Sequence, residues 1–186
     1  MIVLGIDPGL HECAYAMVSY DVGVYCLEYV TMLRGKKGLK QSKAAVDMAW
    51  WLMNSDNLEF ENRDAVIIED QEITYTTSQG ARPQDIRCLS LVTGALLAKY
   101  SCDNIIFPKP AEWKGQISKE VHHQRIAAKL HIDIMITKDK ILPIGISSLH
   151  NGVNPGDWYH LWDAAGLAIY GIEQLLIEEQ TRKVLG

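Results

Sequence analysis

Apolar residues come in short unbroken runs near the start of this chain and at helical spacing further on. Residues 2–7 (IVLGID) are apolar and β-rich, and the run is stopped by Pro8-Gly9. A run without polar alternation predicts a strand buried on both faces. Residues 12–19 and 23–31 read as two more strands, with Asp21 and Gly23 in the turn between them, so the three form a meander. Residues 32–41 are a basic, glycine-containing loop. Ser42 is placed to cap a helix over 43–54, where AAVDMAWWLM is apolar at helical spacing. Residues 64–69 (DAVIIE) predict a second buried strand, and the polar stretch 71–83 a loop. Residues 84–100 predict a helix with Ile86, Leu89, Val92, Leu96 and Leu97 on one side, and with Gly94 and Ala95 small enough for close packing. Residues 104–107 (NIIF) form a short strand stopped by Pro108 and Pro110, and Ser118 opens a helix over 119–130. Residues 132–157 are irregular, long enough to suggest a flap or an insertion, and a final helix runs from about 158 to 182.

A hairpin meander followed by alternating strands and helices implies an α/β protein, a mixed sheet with helices on its faces. The 186 residues fit one domain, 1–186, and show neither repeats nor low-complexity tracts. About half are apolar, enough for a sizeable core. No apolar run reaches the roughly 18 residues that a membrane span needs, and MIVLGIDPG lacks the basic start and cleavage site of a signal peptide. The expectation is a cytoplasmic protein, of a bacterium or a phage-infected cell, with no membrane partner. Cys13, Cys26, Cys88 and Cys102 include no CxxC pair, which argues against zinc and for reduced, mostly core cysteines.

The net charge of −5 argues mildly against nucleic acid until its distribution is considered. Arg34, Lys36, Lys37, Lys40 and Lys43 fall in a stretch containing no acid. Lys109, Lys114, Lys119, Arg125 and Lys129 make a second basic segment, while acids gather at 56–72 and 173–179. A basic face can therefore form, with Lys36 and Lys37 tracking a duplex backbone largely without sequence readout.

Four side chains carry the candidate chemistry. Asp7 ends the first buried strand, Glu69 ends the second, and His160 and Asp163 stand three apart at the start of the last helix, on one helical face. A carboxylate at a buried strand end is costly unless compensated, and two such ends side by side repel. A divalent cation removes the conflict. Oxygen ligands suit magnesium or manganese, and one imidazole is compatible with manganese. Two such ions roughly 3.5–4 Å apart can clamp a phosphodiester. Each residue also has a plainer role: Asp7 as a turn residue, Glu69 as an exposed strand-end acid, His160 and Asp163 as helix-terminus partners. Alternation aims Asp70 away from Glu69, so Glu69 is the candidate.

GIDPG after a short apolar strand, IIED after a second, and HLWDAAGLA opening a late helix together resemble the RuvC family of Holliday-junction resolvases. LSLVTGALLA and NIIFPKPAEWKGQISKEV resemble the intervening helix, strand and basic segment, so the likeness runs through most of the chain in order. The resemblance implies a ribonuclease H-like fold with a five-stranded mixed sheet. It implies a metal-dependent endonuclease that resolves four-way DNA junctions as a homodimer, with paired nicks. Asp7, Glu69, His160 and Asp163 would be the metal-site residues, with Mg²⁺ the cofactor and Mn²⁺ its substitute. Lys114 and Lys119 match lysines near the scissile phosphate, and the 84–100 helix would lie near the dimer contact. Some members carry Asp where this chain has His160. The family commonly places an aromatic residue three past the strand's Glu, where this chain has Glu72, and Tyr75 is the nearest aromatic able to stack on bases. These departures, with the acidic pI of about 5.6 and the long 132–157 stretch, point to a divergent, phage-like branch acting on a wider set of branched DNA.

Other readings stay open at this level. One is a ribonuclease H-like nuclease acting on RNA or DNA flaps, and another a junction-binding protein without catalysis. An actin-like or sugar-kinase-like ATPase would need two lobes, for which the chain is too short.

Overall fold

A computed structural model describes residues 1–55, 63–70, 83–100, 104–137, 140–144 and 153–186. Strands β1 (Ile2–Asp7), β2 (Glu12–Asp21) and β3 (Val24–Arg34) form the meander. Helix α1 (Gln41–Asn54) leads to β4 (Ala65–Ile68), α2 (Pro83–Lys99) and β5 (Ile105–Ile106). A short helix α3 (Pro110–Trp113), α4 (Lys119–Lys129), the hairpin β6 (Ile134–Thr137) and β7 (Lys140–Pro143), and the long α5 (Trp158–Leu185) complete the chain. The main sheet has the order β3-β2-β1-β4-β5. β1 pairs antiparallel with β2 and parallel with β4, and β4 pairs parallel with β5. The C-terminal ends of β1, β3, β4 and β5 therefore lie along one edge of the sheet.

Strand alternation sorts the core into two layers. Leu4 and Ile6 of β1 and Val66 and Ile68 of β4 face α1 and α2, where they meet Met48, Leu52, Val92 and Leu96. Val3 and Ile67 face the other way, against Leu161, Ala164, Leu167 and Ala168 of α5 and Ile126 of α4. The same alternation puts Gly5 and Asp7 of β1, and Glu69 just past β4, on the α5 side. Gly5 is required there. A Cβ at that position would stand 2.0 Å from the Ala164 carbonyl oxygen and 2.6 Å from the Ala168 nitrogen, so α5 rests directly on the β1 backbone. Among the described residues no helix is long and apolar enough to cross a membrane.

Several expectations need adjustment. Helix α1 starts at Gln41, with Lys40 as N-cap and no side-chain cap, so Ser42 lies inside the first turn. Ser118 does cap α4, accepting from the Val121 amide at 3.4 Å. The buried stripe of α2 is Cys88, Val92 and Leu96, while Leu97 is exposed and nothing stands within 4 Å of a Cβ built on Gly94. Among the described residues, then, nothing packs closely on Gly94. The 132–157 stretch contains the β6–β7 hairpin, anchored where the Trp162 indole N–H donates to the Ile141 carbonyl at 2.9 Å. Its four-residue strands are short, and their pairing is spent on one another. Cys13 and Cys88 are buried, but Cys26 is exposed on β3. Cys102 lies outside the described residues.

Candidate metal centre

Three elements deliver the four candidate side chains to one place at the sheet edge. Asp7 is the last residue of β1, and the Glu69 amide donates to the Ile6 carbonyl at 3.3 Å, carrying the β1–β4 pairing one step beyond β4. Helix α5 crosses above, close because of Gly5, and its first turns lower His160 and Asp163 toward the strand ends. His160 Nδ1 lies 2.8 Å from Asp7 Oδ2, across 153 residues of sequence. Asp7, Glu69 and Asp163 are largely buried, with side-chain exposures of 12%, 13% and 6%.

Each carboxylate has its own basic partner. Asp7 has His160. Glu69 has Lys114, whose Nζ is 3.6 Å from Oε1, and accepts from the Trp113 indole N–H at 3.2 Å. Asp163 has Lys119 Nζ at 2.5 Å from Oδ2 and His123 Nε2 at 2.9 Å from Oδ1. The Lys119 ammonium also sits 3.4 Å from the centroid of the Tyr159 ring, whose edge contacts lead on to His123 and His160.

The electrostatics differ across the three. Burial, then the charge of Asp7, raise the Glu69 pKa; Lys114 opposes and Asp163 adds to the rise. At Asp163 burial acts upward but is outweighed by His123 and Lys119, which hold the carboxyl below its usual range. The hydrogen bond to Asp7 raises the His160 pKa against the opposing effect of burial. Burial acts to lower the Lys119 pKa, yet its contact with Asp163 raises it on balance.

Among the described residues no group of three or more His, Cys, Asp or Glu side chains is arranged to hold a metal ion as it stands. The pairing above gives the reason: the carboxylates turn toward separate basic partners. The chemistry of the donor set nevertheless fits a hard divalent cation. Three carboxylates and one imidazole gather at the sheet edge, and after burial the like charges of Asp7 and Asp163 raise the Glu69 pKa, a cost that a cation between them would lessen.

The remaining sequence candidates divide. Lys114 follows α3 and Lys119 begins α4, and both reach the centre. Lys36 and Lys37 are exposed in the loop after β3, at the same sheet edge. That loop is tied down where the Gly35 amide donates to the His11 carbonyl at 2.8 Å and the Lys36 amide to Asp47 Oδ2 at 2.7 Å. Tyr75 and Glu72 lie outside the described residues. Sequence reasoning missed His123, Trp113, Tyr159 and the Arg34–Asp157 ion pair that ties the end of β3 to the start of α5. A weak signal existed for His123, which stands four residues after Lys119 on the same helical face.

The sequence matches no protein-family model, and no curated protein matches it. Solved structures do resemble it. RuvC of Thermus thermophilus in complex with Holliday junction substrate aligns over 90% of this chain and 90% of its own, with 16% identity and a TM-score of 0.61. A second structure of that RuvC aligns over 90% and 91%, with 17% identity and a TM-score of 0.58. A yeast mitochondrial Holliday junction resolvase aligns over 99% of this chain and 86% of its own, with 14% identity and a TM-score of 0.58. The fold is therefore the ribonuclease H-like fold of RuvC-type resolvases, with the expected five-stranded mixed sheet.

Proposed function

We propose that this chain is a cytoplasmic, metal-dependent endonuclease that resolves four-way DNA junctions, and other branched DNA, by paired hydrolysis of phosphodiesters. The observation that carries the reading is the convergence of Asp7, Glu69 and Asp163, from three distant parts of the chain, at one edge of this sheet. Structural similarity to a RuvC in complex with Holliday junction substrate supports the choice of DNA.

Asp7, Glu69 and Asp163, with His160 beside them, would hold a pair of Mg²⁺ ions, or Mn²⁺ in their place. Once bound, such ions supply Lewis acidity and charge neutralisation for attack of water on phosphorus. His160, its Nδ1 2.8 Å from Asp7 Oδ2, would ligate one ion or help orient the attacking water. Lys114 and Lys119 bring positive charge to the centre and would meet charge developing on the phosphate. His123 and Trp113 hold Asp163 and Glu69 in orientation through hydrogen bonds. Hydrolysis would leave 3′-hydroxyl and 5′-phosphate ends. Lys36 and Lys37 would follow the duplex backbone along the same edge.

Paired nicks need two centres, and we propose a homodimer. The outward face of α2 presents Leu91, Gly94 and Leu97, with open space over Gly94, so a second copy of the helix can approach closely. A second reading, junction binding without hydrolysis, draws on the lysine pairing of the carboxylates. One experiment separates the two: cleavage of a labelled four-way junction with and without Mg²⁺, run beside Asp7→Asn. Nicking that requires Mg²⁺ and falls at least about 100-fold in the variant, the scale of losing one preorganised electrostatic partner, is expected. Mg²⁺-dependent nicking that survives Asp7→Asn would refute the scheme, and tight binding without cleavage at any Mg²⁺ or Mn²⁺ level would favour the second reading.

A further inference from the structure

Beside the carboxylate centre lies a cleft of about 230 Å³ between the α3–α4 segment and α5. Its wall is largely apolar, built by Ile117, Ile126, Ile169 and the ring of Tyr170. Its rim is basic, with Lys114 at the end nearer the carboxylates and Arg125 and Lys129 along α4; Lys129 is paired with Glu173. Trp113 joins cleft to centre, because its ring lines the one and its indole N–H donates to Glu69 in the other.

The informative group is His122. It is 8% exposed and lines the cleft with its ring, while its Nε2 is turned toward Gly166 of α5, closed to solvent, with no hydrogen-bond partner among the described residues. A buried polar atom left unpaired is costly and calls for an explanation. Burial, then the neighbouring His123, push the His122 pKa down to about 4, so the ring is neutral and offers a directional donor or acceptor rather than a charge. Gly166 of α5 keeps this end tight without blocking it. A Cβ there would stand 2.7 Å from Trp113 and from Ile126, and 3.1 Å from His122 Nε2.

An apolar slot with a neutral imidazole inside and cations outside matches a nucleotide better than a free phosphate, which would want charge at the bottom. The volume is below the roughly 300–1,000 Å³ of a drug-sized site, so it suits one ring system. We propose that this cleft receives a single unstacked nucleobase of the bound DNA, packed between the apolar wall and the His122 ring, with the adjoining phosphate on Arg125. The proposal rests on the DNA-nuclease reading and adds a base-sensing subsite to it. Enzymes that act on bases hold extruded ones in the same way, between apolar walls with polar groups at the ring edge.

The test is a mutant cycle on binding, with Asp7→Asn as the non-cleaving parent. A single abasic site is scanned through the positions flanking the branch of a four-way junction, and through a single-stranded oligonucleotide. At one position, loss of the base is expected to weaken binding about fivefold to 150-fold, the range for one base stacked on protein. Adding Ile117→Trp, which fills the cleft from its wall, is expected to abolish that dependence. Arg125→Ala, an exposed site, is expected to lower the salt slope of binding by about one phosphate contact and leave the base dependence in place. A base dependence that persists in Ile117→Trp, or none at any position on either DNA, overturns the proposal. Base dependence on single strands, with no junction cleavage by the unsubstituted protein, would keep the cleft and sink the resolvase reading; cleavage by the unsubstituted protein without base dependence in the parent would do the reverse.

Discussion

Gly5→Ala tests how the centre is assembled without touching any candidate ligand. The added Cβ would sit 2.0 Å from the Ala164 carbonyl oxygen and 2.6 Å from the Ala168 amide nitrogen, both backbone atoms of α5. Ordinary contact begins at 3.4 Å, so helix and strand must separate by more than an ångström, and no flexible side chain can absorb the overlap. Overpacking of a well-filled core costs about 1–3 kcal/mol, and a clash with backbone belongs at the upper end. At about 2–4 °C per kcal/mol for a chain of this size, a loss near 3 kcal/mol lowers Tm by about 6–12 °C. The functional consequence follows from the same movement. His160 and Asp163 ride on α5, and the 2.8 Å His160–Asp7 contact must lengthen. Misplacement of about 1 Å at a reacting centre costs on the order of 100-fold in rate. Thermal unfolding by circular dichroism and single-turnover junction cleavage, each with and without Mg²⁺, read the two effects. A variant that melts within about 1 °C of the parent and cleaves at the parent's rate would refute the claim that β1–α5 contact sets the site.

Glu69→Gln is expected to stabilise the metal-free protein at neutral pH. The Glu69 pKa is raised above its ordinary value of 4.5, chiefly by burial and then by Asp7. Folding is therefore penalised above the folded pKa and unpenalised below 4.5, so the benefit of the variant should vanish as pH falls through that window in urea melts. Mg²⁺ should reverse the order, stabilising the parent by about 2.7 kcal/mol at one hundred times its Kd and the variant less. Val22→Asn should raise Tm by about 2–4 °C, because Val22 holds φ at 43° in the two-residue β2–β3 turn, a region that suits Asn and strains a β-branched residue. Leu91→Glu on the outward face of α2 should leave the fold intact but shift a dimer toward monomer in sedimentation equilibrium; an unchanged molecular mass would remove that face from the proposed interface.

Much of this protein is written locally. The unbroken apolar runs at 2–7 and 64–69 determine buried strands, because a chain apolar on successive residues can satisfy both faces only inside a sheet. Strand alternation then decides from sequence that Asp7 shares a face with Val3 and Glu69 a face with Ile67, and the i, i+3 spacing puts His160 and Asp163 together. Local signals failed where they were weak. Four-residue strands such as β6 and β7 leave little periodicity to read, and the start of α1 has no capping side chain. Tertiary structure alone decided the partners. That His123 and Lys119 grip Asp163, that Trp113 and Lys114 take Glu69, and that His122 Nε2 has no hydrogen-bond partner among the described residues depend on how α3 and α4 lie against α5. Those placements rest on glycines far apart in sequence whose meaning appears only in the folded chain: at Gly5 a methyl group would strike the α5 backbone, and at Gly166 the Trp113, Ile126 and His122 side chains.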